Sequence, residues 1–399
     1  VEKIAYILPL AGIVFLIISC WWVRRFFAPS AHASAGSGEP PDFAPPVSLL
    51  KPVRGLDQGA YDNFASFCRQ DYPSFEVLFA TDSADDPAVP VIEQITRDFP
   101  EAGVRHLVTS AQTVPNPKAS CLAALTREAA HSIVVISDSD MRVQPDYLRR
   151  VVAPLAWPDV GLVTCCYRGA RPVTFTAKLE ALYMGLTFLP QVVVARSLLD
   201  MRFALGATMA LRTADLDAAG GWEAAGHYLA EDTRVAQRVA ALGKKVVLSQ
   251  YIVDSFLGPT TWRDQWDREV RWARTNRVNL PRAYPGLLLT LPVPFALVLL
   301  PLDPAGILGW GTLAAALAVR WVTAWLVTAY TANQALRRWL VWLPLRDLLS
   351  GLVWCTGAVG RKVLWRGRLH RVRRDGRLEP PEPGPASAAA VQEAESVDF

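Results

Sequence analysis

The stretch Ser132-Ile133-Val134-Val135-Ile136-Ser137-Asp138-Ser139-Asp140 decides the fold. A short β-branched run ending in two acids one residue apart reads as a strand buried on both faces, with polar chemistry at its carboxyl end. Working outward, Val47 to Val53 (VSLLKPV), Phe75 to Asp82 (FEVLFATD) and Val104 to Ser110 (VRHLVTS) have the same character, and helix-like segments separate them. That alternation predicts an α/β, doubly wound domain with a predominantly parallel sheet. Gly161 to Cys166, Ala207 to Arg212 and Lys245 to Tyr251 are the later strand candidates.

The 399 residues are 51% hydrophobic and 20% charged, with a mean hydropathy of +0.19. These values exclude a disordered chain and an ordinary soluble enzyme, so part of the chain belongs in lipid. A formal charge of +4 calls for no nucleic-acid partner. The six cysteines contain no C-x-x-C pair and offer neither a zinc site nor a secreted disulfide framework.

Ile4 to Val23 is an almost unbroken apolar run, close to the ~20 residues a helix needs to cross a bilayer. Ala31, Ala33 and Ala35 offer the small-residue pattern of a cleaved signal peptide; the length of the run and the following Arg24 and Arg25 favour a membrane anchor over 1–27, with the next residues in the cytosol. An Ala-, Ser-, Gly- and Pro-rich tether (28–46) then leads into a domain over 47–258. Within 285–360 lie three more apolar stretches: Gly286 to Leu302, broken by Pro292, Pro294 and Pro301; Ala305 to Tyr330, containing Arg320; and Trp339 to Val359, containing Arg346 and Asp347. The basic residues that open the tail (361–399), among them Arg361, Lys362, Arg366, Arg368 and Arg371, favour the cytosol. Parity then demands an even number of crossings after the domain, so either one stretch fails to cross or the tail breaks the rule. The last residues read as disordered.

In open α/β sheets, ligands sit outside the carboxyl ends of strands. Asp82 ends one strand candidate, and Asp138 with Asp140 ends another. Turn chemistry accounts for a single Asp there, whereas a D-x-D pair can also hold a hard divalent cation that neutralises a diphosphate. Glu231 and Asp232 open a helical segment running to Leu242. They either complement its macrodipole or supply a general base beside an acceptor hydroxyl. Trp262 to Leu280 reads as an interfacial helix within 259–284; Trp266, Val270 and Ala273 are spaced at i, i+4 and i+7, and Arg268 and Arg271 stand three apart on a neighbouring face. Those guanidinium groups can bind headgroups, a diphosphate, or both. Lys118, after Asn116-Pro117, is a point cation suited to the same diphosphate. His227, near the candidate base, reads as a packing partner. Phe175 to Leu199, with Lys178, Glu180 and Arg196, fits a core helix or a membrane-surface helix.

In order, Asp82, Asp138-Ser139-Asp140, Glu231-Asp232 and Arg268-Glu269-Val270-Arg271-Trp272 resemble the D, D-x-D, D, (Q/R)-x-x-R-W series of inverting, membrane-bound glycosyltransferases of the GT-A fold. Val47 to Val53, Asn116-Pro117-Lys118 and Trp365-Arg366-Gly367 resemble in particular the ceramide glucosyltransferases of glycosyltransferase family 21, and Val163 to Gly169 (VTCCYRG) is similar to bacterial relatives acting on hopanoid polyols. The resemblance implies a GT-A domain with membrane helices at both ends, a UDP-sugar donor and a membrane-lipid acceptor, ceramide or hopanoid. It also implies a Mg2+ or Mn2+ cofactor. It assigns Asp232 as base, Asp82 to the nucleotide, Asp138 and Asp140 to the metal-diphosphate site with Asp140 the direct ligand, and Arg271 with Trp272 to the diphosphate and acceptor. Arg268 stands where processive polysaccharide synthases carry glutamine, which favours single transfer to a lipid. The complete D-x-D departs from some ceramide enzymes and leaves the acceptor open. A non-catalytic lipid-binding protein on the same scaffold is the reading from another class.

Overall fold

The computed structural model describes residues 6–28, 43–109, 112–198, 200–302, 306–365 and 368–379. Most of the tether, the Arg366-Gly367 pair, Leu199 and the tail from 380 lie outside the described residues.

The central sheet has eight strands: β1 (Val47–Pro52), β2 (Phe75–Thr81), β3 (Val104–Val108), β4 (Ile133–Ile136), β5 (Met141–Arg142), β6 (Val160–Ala170), β7 (Met209–Arg212) and β8 (Lys245–Phe256), in the order β3-β2-β1-β4-β7-β6-β8-β5. β1, β2, β3 and β4 are mutually parallel, as are β6 and β8, while β7 opposes both neighbours and β5 opposes β8. β1 and β4 are buried along their whole length, which explains their apolar character without alternation.

Three strands end elsewhere than the sequence reading expects. β4 stops at Ile136; Ser137 N still donates to the Leu50 carbonyl of β1 (3.2 Å), and Asp138 to Asp140 then lead to β5 at the far edge of the sheet. β6 and β8 run on to Ala170 and Phe256, past a register shift at Cys165/Cys166. This polar extension is held by an Arg168–Asp254 ion pair at 2.6 Å and lacks the apolar signal of a core strand.

On the sheet lie α2 (Ala60–Cys68), α3 (Val89–Asp98), α4 (Pro117–Glu128), α5 (Tyr147–Val152), α6 (Phe175–Tyr183), α7 (Leu189–Leu198), α8 (Thr213–Ala218), α9 (Gly221–Ala225) and α10 (Glu231–Ala241). A π-helical turn, Met184–Phe188, joins α6 to α7. α1 (Ile7–Phe27) precedes the domain; α11 (Trp262–Asn279), α12 (Pro292–Leu299), α13 (Ile307–Tyr330) and α14 (Leu343–Ala358) follow it. Ile7–Phe27, Phe175–Leu198 and Ile307–Tyr330 are long and apolar enough to cross a membrane. Phe175–Leu198 is mostly buried within the protein, packed between the sheet and the terminal helices.

α1 and α13 run side by side, with Cys20 Sγ 4.0 Å from the Thr323 carbonyl. At the end of α13, Arg168 of β6 donates to the carbonyls of Thr331 (2.8 Å) and Ala332 (3.1 Å). α14 lies along α11. Trp342 packs on Phe175 at its start (4.9 Å between rings), Arg346 meets Glu269, and Arg277 donates to the Ala358 and Gly360 carbonyls at its end. The chain finishes in a hairpin, β9 (Lys362–Trp365) and β10 (Arg368–Arg371). Beyond it the chain bridges to the loop before α10: Leu229 N donates to Gly376 O (3.3 Å) and Leu378 N to His227 O (2.8 Å). Leu229, Val363, Val372 and Leu378 form a small buried cluster there.

Candidate active site

A cavity of about 810 Å3 opens at the carboxyl ends of β1 and β4. Its polar end holds Asp57, Lys118, Asp138, Asp140, Glu231 and Asp232. Its other end is walled by the π-turn, α7, the second half of α11 and the 3-10 segment Tyr284–Thr290.

Lys118 is brought in by local sequence chemistry. Asn116 caps α4 by accepting from Ala119 N (3.1 Å), and Pro117 occupies the first helical position, where its missing N–H costs nothing. Asn116 Nδ2 also donates to Glu231 Oε2 (3.0 Å), tying α4 to α10. Lys118 Nζ thereby lies 2.6 Å from Asp138 Oδ1 and 3.1 Å from Glu231 Oε1. Burial opposes its charge, but Asp138, Glu231 and Asp232 outweigh burial and hold its pKa above the ordinary lysine value.

Gly206 forms the floor. A Cβ on Gly206 would sit 2.8 Å from Lys118 Nζ, 3.1 Å from Asp138 Oδ2 and 3.5 Å from Asp232 Oδ2. A side chain here would displace the Lys118 ammonium, and the D-x-D loop and the start of α10, far apart in sequence, converge on this one point.

Beneath the D-x-D loop, buried Lys51 donates to the Asp138 carbonyl (2.6 Å) with its ammonium over the Phe67 ring (3.6 Å). Burial pushes its pKa down to about 7 against the pull of Asp138, Asp140 and Asp57. Ser139 Oγ donates to Asp57 (2.6 Å) and Ser255, on the β8 extension, to Asp140 (2.8 Å). Burial, then repulsion from Asp138 and Asp57, raises the Asp140 carboxyl to about 6. Asp232 accepts from Thr233 N (2.6 Å), and burial followed by the charge of Glu231 raises its pKa above the carboxylate range, partly opposed by Lys118.

Among the described residues no three His, Cys, Asp or Glu side chains form a ready-made metal cage. Two cavity-facing carboxylates crowded by a third suit Mg2+ or Mn2+ of the kind that takes one or two protein carboxylates and completes its shell from phosphates and water.

The remaining predicted residues divide. Asp82 closes β2 and faces Arg54 (3.6 Å), which lines the cavity although Asp82 does not. Arg268, expected on a diphosphate, lines the cavity but is already paired with buried Glu180 (2.9 Å). The Arg271 side chain has no hydrogen bond or ion pair among the described residues; burial and then Arg268 lower its pKa to about 10, which leaves it charged and available for an anion. Trp272 lines the cavity with its ring stacked on Tyr183 (6.3 Å, 15° between planes). Sequence reading gave Asp57 and Ser255 no place in the site, and Glu231 one only as the acid paired with Asp232. Glu231 carried a signal in its pairing with Asp232; Ser255 carried none, because it needs the β6–β8 extension to reach Asp140.

A mostly parallel sheet, an acid pair leaving its central strand and a cavity running toward apolar helices make this a GT-A-type glycosyltransferase domain. A family model described as "Glycosyl transferase family 21" matches residues 4–378. The chain belongs to that family. It is 27% identical over 277 residues to ceramide glucosyltransferase 1 of Caenorhabditis elegans, a match covering 69% of this chain and 59% of that protein. A ceramide glucosyltransferase of Gibberella zeae is 33% identical over 168 residues, 39% of this chain and 31% of that protein. The matches thus span less than two thirds of these relatives' lengths. A mannosyltransferase from Pyrobaculum calidifontis, solved with GDP-mannose and Mn2+, is similar with a TM-score of 0.46 and 18% identity, over 88% of this chain and 99% of that one.

Proposed function

We propose that this protein transfers a sugar from a UDP-sugar to a hydroxyl of a membrane lipid, with UDP-glucose and ceramide as the substrate pair. The observation that carries the reading is one cavity that joins a cluster suited to metal and diphosphate to an apolar wall that includes Phe188, Val192, Leu280 and Leu287. The names of the similar ceramide glucosyltransferases support the acceptor.

In this reading Asp138 and Asp140 would hold a Mg2+ or Mn2+ ion, which when bound offsets negative charge on the diphosphate. Lys118 and Arg271 face the same phosphates, and Asp82 lies at the nucleotide end behind Arg54. The acceptor oxygen attacks the anomeric carbon, the carbon–phosphate-oxygen bond breaks, UDP departs and Asp232 takes the hydroxyl proton, inverting the anomeric configuration. Arg24 and Arg25 favour a cytosolic domain. With α14 laid along α11, the stretch around α12 and α13 form an out-and-back pair, and the basic hairpin returns to the domain's side.

Product mass spectrometry on the purified chain with Mg2+ or Mn2+, offering UDP-glucose and UDP-N-acetylglucosamine against ceramide and a hopanoid polyol, tests the reading. A hexosylceramide supports it. An N-acetylhexosaminyl hopanoid keeps the chemistry and replaces the substrates, and no product from any pair favours a non-catalytic lipid-binding role. Asp140→Ala is expected to lower turnover at least tenfold and to raise the metal concentration needed for half-maximal rate. Unchanged turnover and metal response would remove Asp140 from the site.

A further inference from the structure

One face of α11 supplies cavity wall from Arg268 to the helix end at Asn279. Arg268, Arg271, Trp272, Thr275, Asn276 and Asn279 all line the cavity at positions i, i+3, i+4, i+7, i+8 and i+11, a single helical stripe. The stripe changes character along the axis. Charge comes first, at Arg268 and Arg271; two carboxamides follow; past the helix end, Leu280, Tyr284 and Leu287 continue the wall. At 1.5 Å per residue, Asn279 lies about 12 Å along the helix from Arg271.

The carboxamides have no local task. Among the described residues neither Asn276 nor Asn279 has a side-chain hydrogen bond, Leu280 rather than Asn279 is the C-cap, and asparagine is a poor helix former. Thr275, by contrast, spends its hydroxyl on the Arg271 carbonyl (2.8 Å). Across the cavity stand Phe188 and Val192, and Gln191 is engaged with Thr290 (3.2 Å). Two unpaired amides, each both donor and acceptor, therefore sit between the charged end and the apolar end.

Resting on the lipid-transferase reading above, the geometry points to Asn276 and Asn279 as the acceptor-selecting pair. They bind a polar segment carrying amide or hydroxyl groups next to the attacking hydroxyl, while Leu280 to Leu287 receive the start of the hydrocarbon chain. The site so built favours an amide- and hydroxyl-bearing lipid over a plain long-chain alcohol, because an acceptor without those groups leaves both carboxamides desolvated and unpaired.

The test uses the full chain in detergent with Asn276→Leu, Asn279→Leu and the double variant, and compares ceramide with 1-hexadecanol. The ratio of kcat/KM for ceramide to that for hexadecanol is expected to fall about tenfold or more in the double variant, chiefly through KM, with the KM for UDP-sugar unmoved. Equal losses with both acceptors, or none, would overturn the assignment. Binding of a fluorescent short-chain ceramide without donor gives a second readout: equal affinity in the unaltered and double-variant chains also overturns it. If the unaltered chain forms no product while the difference in ceramide binding persists, the transferase reading falls and the lipid site stands.

Discussion

Asp232→Asn is expected to reduce sugar transfer by ~10²–10⁴-fold, the usual contribution of a positioned general base, and to leave UDP-sugar binding within a few-fold of the unaltered protein. Asparagine keeps the size of the side chain and can still accept from Thr233 N, which donates to Asp232 at 2.6 Å, but it cannot take a proton. The competing role, an acid complementing the first turn of α10, predicts a different result: activity would fall only in step with the fraction of folded protein, by the few tenths to ~1 kcal/mol typical of such charges. Thermal unfolding and turnover measured on one preparation separate the two. The pH profile gives a further check with a definite sign. Burial and Glu231 raise the Asp232 pKa, so the base is lost by protonation as pH falls through a value above the usual carboxylate range. The acid limb of kcat should therefore lie well above that of an exposed aspartate; a limb at the ordinary position would assign the base elsewhere.

Arg346→Met carries the largest expected effect on stability. Arg346 is fully buried and makes two bonds of 2.7 Å to the Glu269 carboxylate, and Glu269 also accepts from Gln265 (2.8 Å). Removing the arginine leaves buried Glu269 charged with no counter-ion, only the Gln265 amide, which typically costs ~3–5 kcal/mol. The double variant Glu269→Gln/Arg346→Met should recover most of that loss, since replacing both partners removes the uncompensated charge. Thermal unfolding in detergent of both singles and the double reads this directly. A single-variant cost below ~1 kcal/mol would mean the pair does not hold α14 on α11. Glu269 lies between Arg268 and Arg271 in sequence, so the same clamp fixes the helix that presents Arg271 and Trp272 to the cavity.

This pair shows what sequence could and could not supply. Strand β4 and the acids after it were legible because burial on both faces imposes an apolar run and the ladder's end imposes polarity. Arg346 and Asp347 were legible only as anomalies, charges costly in an apolar stretch. Their partners, Glu269 and Arg320, lie 77 and 27 residues away and no local pattern joins them. Arg268 shows the converse. Its spacing from Arg271 suited a diphosphate, but buried Glu180, 88 residues earlier, takes much of its charge and leaves Arg271 as the unpaired cation. The π-turn was invisible for another reason. Met184 to Phe188 read as ordinary helix, and what sustains the wider turn is distant: Arg320 donates to the Leu186 carbonyl and to Thr187 (both 2.9 Å) while held by Asp347.

The bridge between the last described strand and the loop before Asp232 has a consequence in time. Synthesis runs from the amino end, and early segments fold while later ones are still being made. The sheet, Lys118 and the D-x-D loop can all be in place while the carbonyl of Gly376 and the N–H of Leu378, which meet Leu229 and His227, have yet to be made. The apolar helices α1 and α13 both precede those two groups in the chain. The loop leading into α10, which carries the proposed base Asp232, thus receives this support only after the sheet and the helices α1 to α14 have been made.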